Sequence, residues 1–127
     1  MLRLVLAIAV AIHGTFQLFG AAVAFELVDA ERLYENLLFG GHLELASAGG
    51  AQIGAALIVT GVAFMAGAVA LLGRRGWALP AISVTVIVSM LVTAIGERSV
   101  SGTLVNLILL VGVWQLWRSE PAWEYPR

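Results

Sequence analysis

His13 and Gln17 stand four residues apart in a run, Leu4 to Phe25, that carries no formal charge. On a helix they share one face, a turn apart. Asn106 sits in another uncharged run, Val100 to Trp117. Polar side chains at bilayer depth are costly and usually turn toward a bundle interior. A neutral imidazole there could donate to a ligand carbonyl, such as a quinone's, or relay a proton. The two carboxamides could both donate and accept. Helix rise puts His13 about 15 Å past Arg3, near a midplane. It puts Gln17 about 12 Å, and Asn106 about 8 Å, below the outer ends of their runs. The amides could therefore meet, directly or through water, where the two runs are neighbours.

Two readings follow. One is a polar pocket that opens outward, with His13 at its floor and Gln17 and Asn106 on its walls. Gly14 removes side-chain bulk beside the imidazole. The other is a set of interhelical hydrogen bonds that only lock the helices, about 0.6 kcal/mol each. Gln52, Glu97, Arg98, Glu44, His42 and Glu26 lie further out, and the inner half is nearly dry apart from Gln115.

Other chemistry finds little footing. The chain has no Cys and no Lys, which excludes disulfides, thiolate metal sites of its own and a Lys Schiff base. Its two histidines fit none of the usual zinc or haem spacings, so no metal is expected. A phosphate loop, a nucleophile elbow and a paired-carboxylate arrangement are all missing from the sequence, and no catalytic residue is assigned. No cofactor is required by the sequence, and a quinone would suit. A net charge of −1 offers no footprint for nucleic acid.

The elements that must hold these groups are apolar helices. The chain has 127 residues, 61% hydrophobic and 12% charged, with a mean hydropathy of +0.96. A soluble domain carries about twice that share of charge. Four runs reach or nearly reach the roughly 20 residues that cross a bilayer: about 4–25, 51–72, 77–95 and 100–117. The expected fold is an all-α transmembrane four-helix bundle, one membrane domain over residues 1–127. With the N-terminus inside, Arg3, Arg74, Arg75, Arg118 and Arg127 are cytoplasmic, which satisfies the positive-inside rule and puts both termini in the cytoplasm. Trp77, Trp114, Trp117, Trp123 and Tyr125 gather at the same ends as an aromatic belt. The first run is about twice a usual signal-peptide core, so cleavage is not expected. Between the first two spans, Asp29 can cap a short amphipathic helix bearing Leu33, Tyr34, Leu37 and Leu38, ended by Gly40-Gly41. The expected location is a bacterial inner membrane, with the lipid bilayer as the first partner and a membrane protein or a second copy as the next.

Close helix contact in lipid depends on small residues. Gly54, Gly61 and Ala68 recur every seven residues, Thr85, Ser89 and Thr93 every four, and Ala7, Ala11, Gly20 and Ala24 share the first run. These stripes read as packing, and the hydroxyls as back-bonding to their own helix. No repeat relates the two halves, which does not support an inverted-repeat transporter.

The opening of the first run, Arg3, then Leu4 through Ile12, then His13-Gly14-Thr15-Phe16-Gln17-Leu18-Phe19-Gly20, resembles the DoxX-like family of small four-helix bacterial membrane proteins. The second run, Gln52-Ile53-Gly54 through Gly61, is similar to that family's second helix. Gln stands at 17 and 52 where the family often has Lys and Glu. The resemblance implies a subunit associated with quinone-linked or oxidative-stress membrane complexes, without independent catalysis. It implies His13, Gly14 and Gln17 as the membrane-site positions, with Gln52 facing them. Two alternatives remain. A small proton-coupled transporter of hydrophobic compounds would need His13 to carry the proton, since the first run has no Glu. A purely structural membrane subunit needs no ligand at all.

Overall fold

The computed structural model describes residues 1–25, 27, 50–94 and 100–119. Four helices account for nearly all of them: α1 (Leu2–Ala24), α2 (Gly50–Leu72), α3 (Ala78–Val92) and α4 (Val100–Ser119). No strand occurs among the described residues. The expected outer amphipathic helix lies outside the described residues, as do His42, Glu44, Glu97 and Arg98.

Each helix buries one stripe. On α1 it is Leu6, Ala7, Val10, Gly14, Gln17, Gly20 and Ala21, the three-to-four spacing of a single helical face. On α4 it is Asn106, Leu109, Val113 and Leu116. The apolar core runs through Val10, Phe64, Leu71, Ile82, Val86 and Leu116. Neighbours in sequence are neighbours in space: α1 packs on α2, α2 on α3 and α3 on α4. α4 returns to α1 and closes the ring through the sparsest of these four contacts.

Glycines set how near the helices come. A Cβ on Gly14 would stand 2.9 Å from Phe64 Cβ and 3.0 Å from the Gly61 carbonyl oxygen. A Cβ on Gly61 would stand 3.1 Å from the Gly14 carbonyl oxygen. The α1 and α2 backbones therefore touch where these glycines meet. Near the far end of α1, Gly54 lies against Ala24 and Phe25, so the pair is antiparallel. Gly67 receives Ile82 of α3, and Leu6 of α1 sits on Gly112 of α4. The small-residue positions Gly54, Gly61, Ala68, Thr85, Ser89 and Thr93 are all buried.

α2 ends in a Schellman turn. The Arg75 N–H donates to the Ala70 carbonyl (2.9 Å) and the Arg74 N–H to that of Leu71 (3.2 Å). Arg74 takes the left-handed conformation, φ 53°, at the position where glycine is usual. α3 starts at once, with Pro80 in its first turn, where a missing N–H removes no helical bond. Among the described residues two helices are long and apolar enough to cross a membrane, α1 and residues Ala51–Leu72 of α2. α3 is apolar but shorter, and continues through a wider π-type turn at 93–94.

Candidate functional site

Four buried polar side chains from four different helices meet at one level of the bundle: Gln17 of α1 (6% exposed), Thr60 of α2 (2%), Ser89 of α3 (0%) and Asn106 of α4 (0%). His13, one turn before Gln17, stands beside them half-buried.

Gln17 is the hub. Its Nε2 donates to Ser89 Oγ. Its Oε1 accepts from Thr60 Oγ1. Ser89 Oγ also accepts from Asn106 Nδ2 (3.2 Å), so one hydroxyl links the two carboxamides. The two amides, expected to meet directly or through water, are joined instead through a serine hydroxyl of α3. Thr60 Oγ1 also lies 2.9 Å from the Ala56 carbonyl oxygen, its own helix's acceptor one turn back. The layer thus ties side-chain bonds across the bundle to the backbone of α2.

The proton count fixes the imidazole's role. Gln17 Nε2 lies 3.3 Å from His13 Nε2. An amide nitrogen has only protons to offer, so this contact makes His13 Nε2 the acceptor and leaves the ring proton on Nδ1. The ring is held edge-on to Phe64, with centroids 4.9 Å apart and planes at 78°. Asn106 also interacts with the His13 ring. Its Oδ1 nevertheless completes no hydrogen bond of normal geometry.

Of the residues the sequence singles out, the structure brings together His13, Gln17 and Asn106. Gly14 faces α2, and the space a side chain would take is filled by Phe64 and the α2 backbone, so it adds no room beside the imidazole. Gln52 is exposed near the start of α2, two turns before Thr60, and does not face His13. Gln115 is exposed on α4. Thr60 and Ser89 complete the layer. Thr60 escaped sequence reading, and Ser89 read as a packing position whose hydroxyl bonds its own helix in preference to lining a cavity. Among the described residues, no group of three or more His, Asp or Glu side chains could hold a metal ion.

Chemically, the layer can hold, orient and hydrogen-bond a small polar group. It contains no nucleophile with an adjacent base. No protein-family model, curated protein or solved structure matches the chain.

Proposed function

We propose that this chain is a four-span integral membrane protein of the DoxX-like kind, whose polar layer binds a quinone-like lipophile beside a redox partner without chemistry of its own. The observation that carries the reading is the convergence of His13, Gln17, Thr60, Ser89 and Asn106 at one level of the bundle.

The outward faces support the membrane setting. Leu4, Val5, Ile8, Ile12 and Phe16 of α1 are exposed, as are Val59, Val62 and Val69 of α2, Val84, Ile87 and Leu91 of α3, and Ile108 and Val111 of α4. A helix on a water-soluble bundle places charged and polar residues there. Among the described residues every charged side chain is an arginine, at positions 3, 74, 75 and 118. The chain's topology puts all four at the same end of the bundle. That arrangement fits a cytoplasmic end in a bacterial inner membrane, with both termini inside. Arg118 lies over the Trp114 ring, 4.9 Å from its centroid, as at a headgroup boundary.

Transport fits less well. Among the described residues the hydrogen bonds between helices lie across the bundle at one level, with Thr85 and Thr93 buried one turn to either side on α3. A stoichiometric redox partner, or a second copy, would supply the chemistry this chain lacks.

The test is binding of a fluorescent quinone analogue to the purified protein in nanodiscs. Wild type is expected to bind it saturably, and His13→Ala to assemble normally but lose the binding. Unchanged binding in the variant removes the site. No saturable binding in wild type leaves a purely structural membrane subunit.

A further inference from the structure

The end of the bundle that holds the turn between α2 and α3 carries charge of one sign. Arg74 and Arg75 lie exposed in that turn, and Arg118 lies exposed in the last turn of α4. α3 packs on both α2 and α4, so the two groups flank its start. Arg3 adds a half-buried cation at the start of α1. Among the described residues no Asp or Glu answers them. The sequence after α4 adds Glu120, Glu124 and Arg127, which leaves five arginines against two carboxylates.

The turn itself does not call for these side chains. Arg74 holds the left-handed conformation that glycine adopts at lower cost, with glycines at hand in positions 73 and 76. Three tryptophans mark the depth. Trp77, Trp114 and Trp117 are each more than half exposed, as indoles at a headgroup boundary are. The guanidinium carbon of Arg118 lies 4.9 Å from the Trp114 ring centroid, which holds that cation at the same level.

From these observations we infer that this end of the bundle collects acidic phospholipids from the leaflet around it, with Arg74 and Arg75 on one side of the start of α3 and Arg118 on the other. This rests on the membrane-spanning reading above and adds a lipid requirement to it. A guanidinium fork takes two phosphate oxygens at once. A zwitterionic lipid offers the same phosphate with its own cation beside it, and the arginines repel that cation. An acidic headgroup, such as that of phosphatidylglycerol, brings none.

The chain supplies its own probe. It has four tryptophans, three at this end and Trp123 in the sequence after α4. In a Trp123→Phe parent, fluorescence therefore reports lipid contact at this end alone. The full-length parent is reconstituted into mixed vesicles of phosphatidylcholine and phosphatidylglycerol, with bromine on the acyl chains of one lipid or the other. A brominated chain quenches an indole that it touches. Brominated phosphatidylglycerol is expected to quench as though bound about fivefold more tightly than brominated phosphatidylcholine. Arg74→Gly, which eases the turn, combined with Arg75→Gln and Arg118→Gln, is expected to bring the two lipids level.

Equal quenching by the two lipids in the parent overturns the inference and leaves the membrane reading standing. A preference that survives the triple variant overturns it too. A preference that emerges only in Glu120→Gln/Glu124→Gln assigns the arginines to the chain's own carboxylates and likewise overturns it. Quenching by neither lipid removes the membrane reading and this inference with it. The comparison in the parent decides the matter even where the triple variant fails to assemble.

Discussion

At the scale of single residues, Gln17 and Asn106 look alike in sequence and differ in the structure. Gln17 uses both ends of its carboxamide, toward Thr60 and toward Ser89 and His13. Asn106 has one completed bond, to Ser89, and a looser contact with the His13 ring. Replacement by leucine should therefore separate them. Gln17→Leu orphans partners on two helices and is expected to cost about 1–2 kcal/mol, the upper range for interhelical bonds in membranes. Asn106→Leu loses one completed bond and is expected to cost less, about 0.6 kcal/mol. Reversible unfolding in mixed micelles measures both, and equal losses would mean that the contact of Asn106 with His13 holds as firmly as the bonds of Gln17. The two amides and His13 were legible in sequence because polarity stands out in an apolar run. Thr60 was not, since a helical threonine can bond its own carbonyl one turn back and so gives no signal of a partner elsewhere. Ser89 was hidden for the same reason: its burial was visible as periodicity, its bonds to two carboxamides were not.

At the scale of elements, the contact of α1 with α2 depends on Gly14 and Gly61. Gly14→Ala forces a methyl to within 3.0 Å of Phe64 Cβ and of the Gly61 carbonyl oxygen, neither the tip of a flexible chain. The helices must part, at an expected cost of about 1–3 kcal/mol. Gly73→Ala is the control. There the nearest atom would be 3.5 Å away, and a change within about 0.5 kcal/mol is expected from the same unfolding measurement. Arg74 offers the opposite sign. Its left-handed conformation costs a side-chain-bearing residue about 1 kcal/mol, so Arg74→Gly is expected to raise the unfolding free energy by about that amount. Helix positions and the small-residue stripes could be read from periodicity. The left-handed residue could not: glycines stand at 73 and 76, and only the hydrogen bonds show that the turn falls on Arg74 instead. Gly14 shows a related ambiguity, because a missing side chain signals either room for a ligand or room for a neighbouring backbone. Here the backbone of α2 takes it.

At the scale of the whole molecule, the outward faces distinguish a bundle in lipid from one in water. Val59 and Ile108 are well exposed, at 67% and 69%. On a soluble bundle, Val59→Arg or Ile108→Arg would be nearly silent. In a bilayer each charge at a span's centre costs about 2.5–3.5 kcal/mol. Both variants are expected to lower the yield of carbonate-resistant, membrane-inserted protein several-fold. Normal yield, or wild-type protein extracted by carbonate, would place the bundle in water. The four arginines have a further consequence for a bundle that spans a bilayer. A bundle with more cations at one pole than at the other inserts one way up and does not turn over, because that pole would have to pass through hydrocarbon. All copies in a given membrane would then point in the same direction, and any pair of them would associate side by side about an axis along the membrane normal, never head to tail.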